Sequence, residues 1–202
     1  MTPDGIVHVI DDDNAMRESL AFLLEGGGFQ VRTYETAAPF LEGIGGLVGD
    51  CIVTDIRMPG MNGLDLVRYL RALGSDLPII VITGHGDVPL AVEAMKAGVN
   101  DFLEKPFDGA SLVNAVHTAL NGSAAGRALQ LAEPFQGLVT QLSPRETEVL
   151  RGVLEGKPNK VIAFELGISA RTVDVYRANV MTKTGAASFL QLVRMALSAG
   201  FS

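Results

Sequence analysis

Val7-His8-Val9-Ile10-Asp11-Asp12-Asp13 is the stretch that decides the fold, because a short apolar run ends there in three carboxylates. The same pattern returns in Cys51-Ile52-Val53-Thr54-Asp55. Short runs rich in β-branched residues indicate buried strands, whereas apolar residues at i, i+3 and i+4 indicate amphipathic helices. Patterns of the second kind separate the runs of the first kind, so the sequence predicts an α/β fold.

Strand and helix patterns alternate five times over the first 120 residues. The predicted strands are Ile6–Ile10, Phe29–Thr33, Cys51–Thr54, Ile79–Thr83 and Asp101–Leu103. The predicted helices cover 14–25, 36–43, 63–73, 87–97 and 108–120, and several stop at a glycine such as Gly26, Gly74 or Gly98. This alternation predicts a doubly wound, flavodoxin-like sheet of five parallel strands with helices on both faces.

The C-terminal part has no strand-like run of useful length. Its patterns predict an all-α domain of four helices at 144–155, 158–166, 170–184 and 188–199. The second and third helices have helix-turn-helix spacing, since Gly167 allows a sharp corner and Ser169 is a good N-cap. A segment rich in glycine and small residues precedes them. We therefore predict a first domain at 1–122, a linker at 123–139 and a helix-turn-helix domain at 140–202.

Composition and charge limit the class of protein. Hydrophobic residues make up 48% of the chain and charged residues 19%, which excludes a disordered protein. Residues 1–122 carry 7 lysines and arginines against 17 aspartates and glutamates, a net charge of −10, whereas residues 141–202 carry 8 against 5, a net charge of +3. The two parts therefore have different partners, and the basic part permits DNA binding.

The ends of the predicted strands carry a set of polar side chains. Asp11 and Asp12 follow the first strand, Asp55 ends the third, Thr83 ends the fourth, and Lys105 follows the fifth. The carboxyl ends of parallel strands meet at one edge, so these groups converge. Clustered carboxylates favour a hard cation such as Mg²⁺, and Asp55 is then a nucleophile towards phosphorus, with Lys105 and Thr83 contacting the phosphoryl oxygens.

Other residues of the same types have structural interpretations. Asp13 is more typical of a helix cap, and Cys51 and His8 of a strand interior. No apolar run approaches the ~20 residues that cross a bilayer, and no signal peptide is evident, so we expect a cytoplasmic protein without membrane attachment.

Four segments resemble the receiver domain of bacterial response regulators: Val9-Ile10-Asp11-Asp12-Asp13, Thr54–Gly63, Thr83-Gly84-His85 and Phe102–Phe107. The resemblance implies that Asp55 is the phosphoacceptor. It also implies that Asp11, Asp12, Asp55 and the backbone carbonyl of Arg57 hold Mg²⁺. Thr83 and Phe102 would form a switch pair, and Lys105 would contact the phosphoryl group and precede Pro106 in a cis peptide. For Phe102, static core packing is the alternative.

Three segments resemble the DNA-binding domain of the LuxR/NarL group: Leu142–Leu150, Asn159–Ala163 and Ile168–Val173. The resemblance implies that the helix at 170–184 enters the major groove, that Asp174, Val175 and Ala178 face bases, and that Lys160, Arg171 and Arg177 contact mainly the backbone. The helix at 188–199 would mediate dimerisation. The full predicted set of DNA-binding residues is Lys160, Ser169, Arg171, Thr172, Asp174, Val175, Arg177, Ala178 and Asn179.

The whole chain resembles the FixJ subfamily of two-component response regulators. Residues 84–98 are similar to the switch helix of that subfamily, and residues 175–183 are similar to its recognition helix. The resemblance implies a transcription regulator, most often an activator, that a sensor histidine kinase phosphorylates. It implies a homodimer through the 87–103 face, binding to double-stranded promoter DNA and to RNA polymerase, and no dedicated enzymatic output. It also suggests nitrogen-fixation genes as targets, with other regulons of the subfamily as the alternative.

Two further interpretations differ in class. Asp11 and Asp13 fit the nucleophile motif of haloacid-dehalogenase-type phosphatases, but that motif expects threonine or valine where Ala15 stands and gives Asp55 no role. Alternatively, the C-terminal helices bind a protein or RNA. The helix-turn-helix sequence motif, and not the charge of the domain, favours DNA over these two partners.

Overall fold

The computed structural model describes residues 5–43, 50–84, 88–121, 135, 137–186 and 189–201. Side chains at 88, 89, 91, 189 and 190 are outside the description. The chain forms two compact units, one mainly from its N-terminal part and one mainly from its C-terminal part, with Val88–Glu93 grouped with the second. Most of the predicted linker lies outside the described residues, and 137–139 are helical.

The first unit contains a five-stranded, entirely parallel sheet, as predicted. The strands are β1 Ile6–Ile10, β2 Gln30–Tyr34, β3 Cys51–Asp55, β4 Ile79–Thr83 and β5 Asp101–Glu104, and their order is β2-β1-β3-β4-β5. The helices are α1 Asn14–Gly26, α2 Ala37–Glu42, α3 Gly63–Ala72, α4 Val88–Lys96 and α5 Gly109–Asn121. The strand order reverses direction between β1 and β3, and doubly wound sheets bind ligands at the carboxyl ends of such strands.

Burial explains why the strands appear as continuous apolar runs. Every residue of β3 and β4 is buried, because helices cover both faces of the sheet. Cys51 is fully buried among them, as predicted. By contrast, β2 is an edge strand with exposed side chains, and it begins at Gln30 rather than at Phe29. Phe29 instead packs in the core, with its ring 4.6 Å from that of His117.

Side-chain caps and glycines determine where the helices begin and end. Asp13 caps α1 by accepting bonds from the N–H groups of Ala15 and Met16, so its predicted structural role is confirmed. Gly74 follows α3 with a left-handed φ of +74°. The predicted end of α1 lies one residue too early, because Gly26 still belongs to the helix. The glycine with a positive φ is Gly28.

His8, in the middle of β1, belongs to a polar cluster with Tyr34 and Asp50. Its Nε2 lies 3.1 Å from Asp50 Oδ2 and its Nδ1 lies 3.0 Å from the Tyr34 hydroxyl. Asp50 Oδ1 also accepts a bond of 3.1 Å from the Ile6 N–H. The cluster therefore ties β1, β2 and the start of β3 together, as expected of a structural histidine. Asp50 of this cluster precedes β3, whereas Asp55 is the last residue of β3.

Gly63, the first residue of α3, packs directly against the backbone of Asp55. A Cβ atom at this position would overlap the carbonyl oxygen of Asp55 and lie 3.1 Å from the Ile56 Cα. The Gly63 N–H donates to the Ile56 carbonyl at 3.1 Å, which holds the two segments together. This close approach positions the loop that follows Asp55.

We expect Gly63→Ala to lower the free energy of unfolding by about 2–3 kcal/mol and to slow any chemistry at Asp55. The cause is steric, because φ at Gly63 is not positive and alanine favours helices more than glycine does. Denaturant midpoints would measure the change. Gly26→Ala is the matched control: a Cβ there meets nothing within 4 Å, so its stability should stay equal or rise slightly. Equal stability of both variants would contradict the steric argument.

The second unit is all-α, with helices α6 Pro144–Leu154, α7 Asn159–Leu166, α8 Ala170–Thr184 and α9 Phe189–Ser198. Gly167 turns the corner between α7 and α8 with a φ of +65°, and Ser169 caps α8. Phe135 is fully buried and packs edge-to-face on Phe201, with ring centroids 5.9 Å apart. The packed part of this unit therefore includes a residue of the predicted linker.

A buried carboxylate joins two helices of the second unit. Glu146 forms a capping box with Ser143, accepting from the Ser143 N–H at 2.7 Å, and it also accepts from Lys183 Nζ at 2.6 Å. Burial raises the pKa of Glu146, but the bonds from Lys183 and Ser143 outweigh it and hold the pKa below its usual value. Lys183, near the end of α8, therefore contacts α6.

Candidate functional site

Three of the predicted residues meet at the carboxyl edge of the sheet. Lys105 Nζ donates to Asp55 Oδ1 at 2.6 Å and lies 3.6 Å from Asp11 Oδ2. Asp55 Oδ2 accepts a bond of 2.7 Å from the Arg57 N–H. Both carboxylates are buried. Asp11 follows β1, Asp55 is the last residue of β3, and Lys105 follows β5. Residues separated by 50 positions in sequence thus form one site.

Electrostatics in this site are unbalanced. Burial raises the pKa of Asp11, and the neighbouring carboxylates of Asp55 and Asp12 add to the effect, while the Asp13 N–H and Lys105 oppose it. Burial alone would lower the pKa of Lys105, but Asp55 and Asp11 outweigh it and raise the pKa. Asp11 and Asp55 share the Lys105 ammonium group, and Asp12 adds a third negative charge near Asp11, so the site attracts further positive charge.

The donor set fits a magnesium ion. Asp11 Oδ2 is buried and has no hydrogen-bond partner among the described residues, because 3.6 Å to Lys105 is too long for a hydrogen bond. Asp12 is exposed beside it. Among the described residues, no group of three or more histidine, cysteine or acidic side chains is arranged to surround a metal ion. Mg²⁺ commonly binds one or two carboxylates and keeps several waters, so it suits such an open site.

Thr83 and Phe102 lie close to this site along the sheet. Thr83 is buried at the end of β4, and its hydroxyl donates to the Gly84 carbonyl at 3.3 Å. The Lys105 N–H donates to the Thr83 carbonyl at 2.9 Å, which links β4 to the lysine. Phe102 is opposite Val81 and is 7% exposed. The predicted cis peptide between Lys105 and Pro106 is confirmed.

Arg17 also lies at this site, although the sequence did not predict it as a site residue. Its Nη1 donates to the Asp11 carbonyl oxygen at 2.7 Å, and its Nη2 donates to Asn14 at 2.8 Å. Arg17 therefore fixes the backbone of the loop that presents Asp11 and Asp12. The sequence gives one indication of this role: Arg17 lies in the first turn of the helix that follows the three aspartates.

The helix-turn-helix presents one continuous exposed face on α8. The five residues of this face are exposed and recur at i, i+3, i+4, i+7 and i+8: Arg171, Asp174, Val175, Ala178 and Asn179. Val173 and Val180 are buried on the opposite side. Lys160 is exposed near the start of α7. The predicted base-facing residues therefore share one surface, and their contacts with DNA remain predictions.

The remaining predicted DNA-binding residues already have partners within the domain. Ser169 Oγ accepts from the Thr172 N–H at 3.0 Å and lies 2.7 Å from the Thr172 hydroxyl. Arg177 donates to Asn159 Oδ1 at 3.0 Å, and Asn159 donates to Asp174 at 2.6 Å. Asn159 was absent from the predicted site, because its spacing of 15 and 18 residues from these partners carries no helical signal.

Comparison with known protein families decides what these two units are. The model described as "Response regulator receiver domain" matches residues 7–117, and that of "Bacterial regulatory proteins, luxR family" matches residues 140–196. The chain is a FixJ-like response regulator of a two-component system. Both the receiver and the helix-turn-helix assignments are thereby confirmed.

Similar proteins share this regulator's whole architecture. "Transcriptional regulatory protein FixJ" of Azorhizobium caulinodans is 56% identical over 195 residues, which are 96% of this chain and 92% of that protein. FixJ of Bradyrhizobium diazoefficiens is 49% identical over 201 residues, 99% of this chain and 98% of that protein. The crystal structure of full-length FixJ from B. japonicum covers 100% of both chains at 48% identity, with a TM-score of 0.55.

The family places this response regulator among DNA-binding transcription regulators and not among catalytic enzymes. A receiver domain implies a histidine kinase as its partner. Within the described residues, every helix is too short or too polar to cross a bilayer.

Proposed function

We propose that this response regulator is activated by phosphorylation of Asp55, then dimerises and activates transcription from promoter DNA. The observation that carries the proposal is the contact of Lys105 with Asp55 beside the unpartnered Oδ2 of Asp11. A nucleophilic carboxylate, a positive donor and a site for a cation thus lie within one hydrogen-bonded cluster. A sensor histidine kinase would supply the phosphoryl group.

The chemistry of the step follows from these contacts. A carboxylate oxygen of Asp55 attacks phosphorus in line, the bond from phosphorus to the donor breaks, and the donor leaves with the electron pair. Lys105 then moves its hydrogen bond from the carboxylate to a phosphoryl oxygen. Asp11, Asp12, Asp55 and the Arg57 carbonyl would hold Mg²⁺, which when bound supplies positive charge for the phosphoryl oxygens. The phosphorylated aspartate would itself be the signal, and its hydrolysis by water to Asp55 and inorganic phosphate would end the signal.

Thr83 and Phe102 would carry the signal from the site to the surface. A phosphoryl group adds about −1.5 to −2 charge and strong acceptor oxygens. The Thr83 hydroxyl now donates to a backbone carbonyl and would turn to donate to the phosphoryl group instead. Phe102 would adjust to the space that Thr83 leaves. The 87–103 face would then form a homodimer, and its first residue, Asp87, lies outside the described residues.

DNA binding would follow from dimerisation. Two copies of α8, about 34 Å apart across a two-fold axis, would read a near-palindromic site. The predicted contacts are those named above, from Lys160 to Asn179. We further propose RNA polymerase as a partner and nitrogen-fixation genes as targets, because FixJ proteins are similar over the whole chain; another regulon of the subfamily is the alternative.

A combined sizing and DNA-binding experiment tests the proposal. The full chain is incubated with acetyl phosphate, with and without Mg²⁺, and analysed by sizing and by selection from random duplex DNA. We expect a dimer and enriched near-palindromic sequences only when both reagents are present. Phosphorylation without any change in size or DNA binding would contradict the proposed link between the two domains.

A further inference from the structure

Asn159 connects the two helices of the helix-turn-helix through its side-chain amide. Its Nδ2 donates to Asp174 Oδ1 at 2.6 Å, and its Oδ1 accepts from Arg177 Nη1 at 3.0 Å. Asn159 is the first residue of α7, while Asp174 and Arg177 are one turn apart on α8. One amide thus contacts an acidic and a basic side chain of the recognition helix.

The chemistry of the partners determines how this amide is oriented. A carboxylate only accepts hydrogen bonds and a guanidinium only donates them. The amide of Asn159 therefore satisfies both partners in one orientation only, with its nitrogen on Asp174 and its oxygen on Arg177. Asn159, Arg177 and the bond between them are partly buried, whereas the bond from Asn159 to Asp174 is exposed, which leaves the Asp174 carboxylate accessible to a base.

Asp174 is the one acidic residue of α8, and it is exposed on the face proposed to enter the groove. A carboxylate near DNA phosphates is repelled, so its presence there needs a specific partner. In the major groove an aspartate accepts from the N4 amino group of cytosine. Asn159 donates to one oxygen of Asp174, and the second oxygen of the same carboxylate then has a defined direction in which to accept from a base.

The position of Asp174 agrees with this assignment. Recognition helices contact base edges with residues near their N-terminal end, and Asp174 lies in the second turn of α8. Arg177 is one turn further on, at a position where an arginine commonly contacts a phosphate oxygen. Asn159 would thus orient the Asp174 carboxylate towards a base and the Arg177 guanidinium towards the DNA backbone.

We propose that Asn159 is a specificity-determining positioning residue, which holds Asp174 so that it reads the amino group of a cytosine in each half-site. The inference rests on the proposed DNA-binding function and adds to it a base identity and a residue that acts through another. Asn159 itself need not touch DNA.

The test compares selected DNA sites of the phosphorylated full-length wild type with those of Asp174→Ala, Asn159→Ala and their double variant. We expect wild type to prefer cytosine at one position of each half-site by roughly ten- to hundredfold. Each single variant should reduce that preference to below about threefold at the same position, with the rest of the site unchanged. The double variant should lose no more than either single variant, because both act through one contact.

Two substitutions separate positioning from a structural role. Asn159→Asp keeps the size and the bond from Arg177 but cannot donate to Asp174, and its carboxylate repels that of Asp174. The stronger bond with Arg177 and the favourable position of a negative charge at a helix N-terminus offset that repulsion in stability. The variant should therefore lose the cytosine preference while its melting temperature stays equal. Asp174→Asn should shift the preference from cytosine to adenine, which asparagine reads through N6 and N7.

The outcomes separate this inference from the proposed function. Lys160→Ala is the control, which should weaken binding to all sites equally and reduce the salt slope by about one. If wild type selects a site but Asn159→Asp keeps its cytosine preference, Asn159 is only structural and the inference is wrong. If phosphorylated wild type selects no sequence, the DNA-reading function fails and the inference fails with it.

Discussion

Asp55→Asn should abolish the phosphoryl adduct and, with it, dimerisation and DNA binding. The amide that replaces the carboxylate is not a nucleophile, and no other carboxylate of the described site contacts Lys105 within hydrogen-bond distance. Intact mass after incubation with acetyl phosphate and Mg²⁺ measures the adduct directly. We expect a single adduct on wild type and none on the variant.

The Asp55→Asn variant should remain folded. The Arg57 N–H and Lys105 Nζ are both donors, so an amide can accept from one of them and loses the bond to the other. One lost bond costs about 1–2 kcal/mol, which leaves a domain of this size folded. Near-identical circular dichroism spectra would establish that the missing adduct reflects chemistry.

Asp65→Asn is the matched control for Asp55→Asn. It removes an exposed carboxylate from the first turn of α3 and should be phosphorylated like wild type. An adduct that survives Asp55→Asn but disappears in Asp11→Asn would overturn the receiver mechanism. It would instead favour Asp11 as nucleophile, as in the phosphatase alternative.

Lys105→Ala should slow phosphorylation of Asp55 by roughly 10²- to 10³-fold, the usual cost of losing one preorganised donor to a developing oxyanion. The same change should strengthen Mg²⁺ binding, because Asp11 and Asp55 lose the ammonium group that competes with the ion. These opposite directions distinguish a phosphoryl contact from a residue that only balances charge.

The pH dependence of Lys105→Ala gives a second measure. Lys105 lowers the pKa of Asp11, so its removal raises that pKa further. Protonated Asp11 cannot hold a cation, so the acid limb of the phosphorylation profile should move to higher pH. Rates come from intact mass, and Mg²⁺ affinity comes from calorimetry, since the chain has no tryptophan to report binding.

Arg32→Ala serves as the control for charge, because it removes an exposed cation from the edge strand β2, outside the 87–103 face. Its phosphorylation rate and Mg²⁺ affinity should equal those of wild type. A normal phosphorylation rate in Lys105→Ala would show that the lysine is only a counter-charge for the two carboxylates.

Most of the fold was predictable because its signals are local. Strands buried on both faces must be apolar throughout, and helices that cover them must carry one apolar stripe, so both appear in the sequence as patterns. The parallel order then places Asp11, Asp55 and Lys105 at one edge without any knowledge of side-chain contacts. The errors, such as the start of β2 and the stop at Gly26, lie at element ends, where an edge strand and a second glycine give weak signals.

The sequence by itself therefore determined the two domains, the parallel sheet and the acidic edge, because periodicity and strand direction are properties of the chain. Only the tertiary structure decided which partners the polar side chains of the helices have on other elements. Lys183 contacts Glu146, Arg17 holds the Asp11 carbonyl, and Asn159 bridges Asp174 and Arg177. These contacts depend on the angle at which helices cross and on how closely they approach. Helical spacing says which face a residue occupies but not which residue of another helix lies opposite.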